Sequence, residues 1–177
     1  YQELGLRGEV NFPAFEQALK GFSRYASGQD RLLVLIDYTK PSTEKRFYIL
    51  DLLQKKLLLS TYVAHGRGSG DNYAVAFSNR PGSYQSSLGF FRTGDTYMGK
   101  NGYSLFLDGL EKGINDKARE RAIVVHGANY ADPAVLKGQQ RLGRSLGCPA
   151  LPPDISKQVI DTIKGGVLLY IYGLNKA

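Results

Sequence analysis

The 177-residue chain has one cysteine, two histidines, one methionine and no tryptophan. A single cysteine, Cys148, excludes an intramolecular disulfide, so the fold must rest on its core. Two histidines and one cysteine without tight spacing make a poor zinc set, so no metal is expected. No run approaches the ~18 uncharged apolar residues that a membrane span requires. Tyr1 opens no basic segment followed by an apolar stretch, so no secretion signal is visible in this chain. The glycine-rich string Ala64-His65-Gly66-Arg67-Gly68-Ser69-Gly70 lacks the Gly-Lys-Ser/Thr ending of a phosphate cradle, and no helix pattern follows it. No interleaved Lys/Arg–aromatic stripe is present either, which argues against a nucleic-acid partner.

The composition is that of a compact domain, with 42% hydrophobic residues and 22% charged. The 21 glycines exceed the average share of about 7% and favour a turn-rich, β-leaning architecture over a helical bundle. A chain of this length can withdraw about 70% of its unfolded surface from water. The 23 basic and 16 acidic residues leave a net charge of +7 and a pI near 9.4. That balance favours anionic partners, a carboxylate-rich wall polymer among them, although scattered basic residues also serve simply as a solvated surface.

Periodicity predicts a first helix with Asn11 as its cap, Pro13 in its first turn, and Phe12, Phe15, Leu19 and Phe22 on one face. Val10 and Phe15 have the spacing of a hydrophobic staple. After a polar break at Ser27–Asp30 the pattern turns to strands. Leu32–Ile36 reads as a buried strand, and Arg46–Leu52 with Leu57–Ala64 as a hairpin. Further strands are expected around Tyr73–Phe77, Leu88–Arg92, Tyr103–Leu107, Ala122–Val125 and Val167–Tyr172. Asp154–Lys164 carries a helical stripe of Ile155, Val159, Ile160 and Ile163, ended by Gly165. The plan is a helical lead-in over residues 1–30 and one mainly β domain over 31–177 with a short helix near its C-terminus.

With so few nucleophiles the search for chemistry is short. His126 ends the apolar run Ala122-Ile123-Val124-Val125, where a strand gives way to a loop, a common place for a functional side chain. Cys148 lies in the turn Ser145-Leu146-Gly147-Cys148-Pro149. A thiolate is the reactive form, and an unperturbed thiol supplies little of it at neutral pH. No acid occurs between Pro133 and Pro153, whereas Lys137, Arg141 and Arg144 add three positive charges that favour thiolate. The plainer alternatives are a small buried hydrophobe for Cys148 and a satisfied strand-edge histidine for His126.

The strings His126-Gly127-Ala128 and Gly143-Arg144-Ser145-Leu146-Gly147-Cys148-Pro149 resemble the signature of YkuD-type L,D-transpeptidases, a His-Gly followed after a spacer by Ser-His-Gly-Cys. Phe47–Asp51 through Tyr62–Gly66 is similar to that domain's opening hairpin, and Ser86-Ser87-Leu88-Gly89-Phe90-Phe91 to its Thr-Pro-x-Gly-x-Phe element. Together with "GYSLFLDGLE" these resemble murein L,D-transpeptidase catalytic domains over roughly residues 45–172. Leu146 stands where the common pattern has histidine, Pro149-Ala150 replaces the residues leading to a downstream arginine, and 21 residues separate His126 from Cys148, a longer spacer than usual.

The resemblance implies a YkuD-like β-sandwich and a cysteine-dependent L,D-transpeptidase acting on peptidoglycan stem peptides at the periplasm or cell surface, as a monomer. It makes Cys148 the nucleophile, His126 the general base and the Gly127 carbonyl its orienter. Arg144, Ser145, Gly147, His65 and Tyr97 are then expected around the substrate. Arg144 would stand in for the missing downstream arginine, and the amides of Gly147 and Cys148 would form the oxyanion hole. His65 is equally open to a structural role, and Tyr97 to ordinary packing. The alternatives for the whole chain are an L,D-carboxypeptidase using water as acceptor and a non-catalytic wall-binding module.

Overall fold

The computed structural model describes residues 1–176. Helix α1 spans Phe12–Tyr25, and the strands are β1 (Leu32–Asp37), β2 (Phe47–Asp51), β3 (Lys56–Thr61), β4 (Gly89–Gly99), β5 (Gly102–Gly109), β6 (Val124–Gly127), β7 (Ala150–Leu151) and β8 (Leu168–Tyr172), with α2 (Pro153–Ile163) between the last two. The strands form one ladder in the order β3-β2-β1-β8-β4-β5-β6-β7. Its pairs are antiparallel except β1–β8 and β6–β7.

The first strands explain why their sequences read as continuous apolar runs. Both faces of β1 and β2 are covered, which removes the usual polar alternation. Leu33, Leu35, Tyr48 and Leu50 face outward against Leu6, Val10, Ala14, Phe15 and Ala18 of the α1 region. Val34, Ile36, Phe47 and Ile49 face inward, into a core shared with Phe91, Leu105, Leu107, Val125 and the α2 residues Val159, Ile160 and Ile163. One core thus takes side chains from both halves of the ladder, which curves over itself as a sandwich. The mainly β architecture with a helix at either end is the one expected. Burying Phe15, at 2% exposure, is worth about 1.5–3 kcal/mol and fastens α1 to the sheet. Asn11 precedes α1 without capping it; its Nδ2 donates instead to Asp37 Oδ2 at 2.7 Å.

The two ends of the ladder meet. Beyond β3, Ala64 exchanges backbone hydrogen bonds with Ala150 of β7, 2.8 and 3.2 Å. Two residues further on, Gly66 bridges to Ser145. The segment between them carries Cys148, so the seam of the rolled sheet is also the turn singled out in the sequence.

Two strand expectations need correction. Tyr73–Phe77 forms no strand: Val75 and Ala76 both donate to Ser69 O, and Phe77 N–H donates to the Asn175 side chain. Ala74 and Phe77 still reach the core, but from a loop. The strand predicted from Ala122 begins at Val124, because Ala122 has φ +55° and breaks the extended run.

Candidate active site

The β6–β7 register pairs His126 with Ala150, which sets Cys148 two residues before His126's partner on a neighbouring strand about 4.8 Å away. Both side chains line one cleft of about 330 Å³, together with Tyr97, Lys100, Arg121, Tyr130, Arg144 and Ser145. Among the described residues lining this cleft there is no aspartate or glutamate.

The imidazole is fixed at one nitrogen. His126 Nδ1 lies 2.9 Å from Gly127 O. A carbonyl only accepts, so Nδ1 carries the proton and Nε2 keeps its lone pair. Burial lowers the His126 pKa and the Gly127 hydrogen bond partly restores it, so a neutral imidazole able to accept a proton prevails at neutral pH.

The thiol is 8% exposed. Its Sγ–H donates to Ala122 O at 3.4 Å and its sulfur accepts from Val124 N–H at 3.4 Å. Burial pushes the Cys148 thiol up; the Val124 amide, then the charges of Arg121 and Lys100, pull it back. At rest the cleft therefore holds a neutral thiol and a neutral imidazole. No hydrogen bond joins them among the described residues, and the thiol proton is held by the backbone of β6's leading turn.

The turn around Cys148 is tied from inside. Ser145 Oγ donates to Cys148 O at 2.6 Å and accepts from Gly147 N–H at 3.1 Å. Gly147 has φ +127°, and a Cβ there would stand 2.9 Å from Ile123 Cδ1 and 3.0 Å from Gln85 O, so only glycine fits. These contacts revise the expected oxyanion hole. The Gly147 amide is spent on Ser145, and Ser145 is a 4%-exposed loop tie more than a substrate contact. The Cys148 amide has no partner among the described residues.

His65 does not line the cleft, and its contacts fit the structural one of its two expected roles. At 1% exposure, its Nδ1 accepts from Arg46 Nη2 at 2.8 Å and its Nε2 lies 3.2 Å from Gly70 O. Both nitrogens are occupied inside the protein, so none is left for a substrate carboxylate. Burial first, and then the Arg46 charge, push its pKa down to about 3. Arg46 is itself fully buried and donates to Val63 O and Lys40 O. His65 O accepts from Ser145 N–H at 2.9 Å, so the pair underpins the cysteine turn from below.

Arg144 borders the cleft, yet its Nη1 turns to Asp71 Oδ1 at 3.1 Å, Gly70 O at 3.3 Å and Arg67 O at 3.5 Å. Arg141 approaches the same Asp71 at 3.9 Å. Two of the three cations that made this segment look electropositive are thus shared with one carboxylate. Tyr97 lines the cleft wall and stacks on Phe106, ring centroids 4.4 Å apart. Sequence reasoning missed Arg121, Lys100 and Tyr130. Their positions follow from the β4–β5 hairpin and the seam, and nothing local in the sequence marks them.

A second recess of about 480 Å³ shares Lys100, Asn101, His126 and Tyr130 with the first and adds Asn129 and Ser156. His126 thus lines both spaces.

The chain is similar to several solved structures, and the first named here shares its fold. The helical cell shape determining protein Pgp2 from Campylobacter jejuni is 16% identical, with a TM-score of 0.53 over 84% of this chain and 50% of that one. An L,D-transpeptidase from Mycobacterium smegmatis is 13% identical, with a TM-score of 0.49 over 81% and 59%. An L,D-transpeptidase from Stackebrandtia nassauensis is 15% identical, with a TM-score of 0.48 over 98% and 74%. The chain spans only 50–59% of the first two. No curated protein matches it. The family model for the L,D-transpeptidase catalytic domain matches residues 6–172, from before α1 to the end of β8, and the chain belongs to that family.

Proposed function

We propose that the chain is a cysteine-dependent L,D-transpeptidase domain that works on peptidoglycan stem peptides through an acyl-enzyme on Cys148. The carrying observation is that Cys148 and His126 open onto one cleft with His126 Nδ1–H fixed on Gly127 O, leaving Nε2 to accept a proton. The Cys148 Sγ–H proton passes to Nε2, and the sulfur attacks the carbonyl joining the third and fourth stem residues. The unpartnered Cys148 amide is the donor for the oxygen that becomes negative; one such donor is worth roughly 3–4 kcal/mol elsewhere. The tetrahedral adduct collapses with the His126 proton going to the departing amine, which leaves a thioester. An incoming amine then gives its proton to Nε2, forms the new amide bond and releases the thiol.

Two features favour an anionic, two-substrate reaction over hydrolysis alone. Lys100 and Arg121 line the cleft, and among the described residues no acid does, which suits carboxylate-bearing stems. The second recess gives an amine its own approach to His126. Action on wall polymer fits a domain in the periplasm or at the cell surface, and among the described residues no helix is long and apolar enough to cross a membrane.

Intact mass after incubation with a disaccharide tetrapeptide tests the reading. The expected result is a thioester adduct on wild type, none on Cys148→Ser, and a cross-linked product only when an amine acceptor is added. An adduct resolved only by water would make the domain a carboxypeptidase. Folded protein that binds the tetrapeptide without an adduct would make it a wall-binding module.

A further inference from the structure

Resting on that reading, we propose that Arg121 is the positioning residue that holds negative charge on Cys148, the part the sequence had suggested for Arg144. The Arg121 guanidinium donates to Ser78 O (2.8 Å) and Ser87 Oγ (2.6 Å) through Nη1, and to Gln85 O (2.8 Å) and Ser83 Oγ (3.2 Å) through Nη2. All four acceptors are neutral, and among the described residues no carboxylate lies within ion-pairing distance. The charge is thus fixed in direction but not neutralised. Its Nη2 stands 3.6 Å from the point a Cβ on Gly147 would occupy, against the residue that precedes the nucleophile. Arg144, by contrast, spends its charge on Asp71.

The surroundings of the sulfur allow this assignment. Lys100 from the β4–β5 turn, His126 from β6, Tyr130 beyond it and Arg144 from the cysteine turn line the same cleft; Tyr38, after β1, lies in the core close enough to feel the sulfur's charge. Of the three cations, Lys100 is on a hairpin tip and exposed, where water screens it. Arg121 is half-buried and clamped by four hydrogen bonds. When the Cys148 proton moves to His126 Nε2, the sulfur gains a negative charge and the imidazole a positive one. No bond to Arg121 forms or breaks. Its role is to be a charge already in place. The same four bonds make Arg121 the anchor of residues 78–87, a stretch without helix or strand.

The test is the pH dependence of Cys148 alkylation by iodoacetamide, which needs no peptidoglycan and so stands apart from the acyl-enzyme experiment. Arg121→Met is expected to raise the alkylation midpoint by about one pH unit, the lower end of the effect of an opposite charge within reach. That is about a tenfold smaller thiolate fraction well below the midpoint. Arg121→Lys keeps the charge but not the fork, and should recover most of the midpoint, although both variants lose hydrogen bonds to residues 78–87 and with them some Tm. Should Arg121→Met fail to fold, Arg121→Gln removes the charge and retains part of the hydrogen bonding, with the same upward shift expected. Arg144→Met should leave the midpoint in place. A wild-type midpoint in a folded neutral variant of Arg121, or a shift in Arg144→Met alone, overturns the assignment. A thioester absent from wild type with the Arg121 shift intact would instead remove the proposed reaction and leave the electrostatics standing.

Discussion

Gly66 is the sharpest probe of how tightly the seam holds Cys148, the proposed nucleophile. Its φ is −68°, which any residue adopts, so alanine there adds a methyl group without backbone strain. That methyl would stand 2.5 Å from Tyr84 O, 2.9 Å from Gly147 Cα and 3.0 Å from Gly147 N. All three are backbone atoms with no rotamer to escape into. Reaching ordinary contact requires Tyr84 or the cysteine turn to retreat by about 1 Å. Overpacking of this kind costs about 1–3 kcal/mol, or roughly 2–12 °C in Tm at this chain length. The larger effect falls on chemistry, because a 1 Å misplacement of a reacting group costs about 100-fold. Differential scanning calorimetry and the rate of acyl-enzyme formation by mass are the assays. Gly138→Ala, where a Cβ meets nothing within 4 Å, is the control and should stay within about 0.5 kcal/mol of wild type. A Gly66→Ala protein with wild-type Tm and acylation rate would refute the close approach of the two loops.

Other outcomes follow from the same geometry. His65 titrates near 3 when folded and near 6.5 when unfolded. The unfolded chain therefore binds the extra proton between those values, and stability should fall as pH drops from about 6.5 towards 3; urea midpoints of His65→Gln should lose that part of the slope, and an unchanged slope would place His65 elsewhere. Arg144→Ala breaks a pair whose Asp71 partner is 85% exposed, so its ion-pair loss should be at most about 1 kcal/mol by denaturant titration; a loss of several would mean a buried role. His126→Ala should slow acylation of Cys148 by about 10²–10⁴-fold with the circular dichroism spectrum preserved, and an unaffected rate would remove it as the base.

The parts legible in the sequence were those whose pattern is local. α1, β1 and the β2–β3 hairpin announce themselves through periodicity and a polar turn, and the His-Gly and Gly-Arg-Ser strings lie in segments that line one cleft. Tyr73–Phe77 misled because its apolar residues reach the core while its backbone amides go to Ser69 and Asn175, partners far from any strand register. His65 and Arg46 are 19 residues apart and each looks like a surface residue alone; only the fold brings them together in the dark of the core. Arg144 was favoured by nearness in sequence to Cys148, yet Asp71 lies 73 positions away and takes its charge. Which cation serves the sulfur is decided by the seam.

The Ala64–Ala150 contact that closes the sheet also has a kinetic side. It joins segments more than 80 residues apart, and such closures come at a cost in chain entropy that delays them in folding. Cys148 sits two residues from that closure, so a nascent or damaged chain carries the thiol without its cleft, and the proposed site is assembled only once this pairing has formed. Protection of the Ala64 and Ala150 amides should then track the gain of acylation at Cys148 by a stem peptide during refolding, making the acyl-enzyme a reporter that the ring has shut.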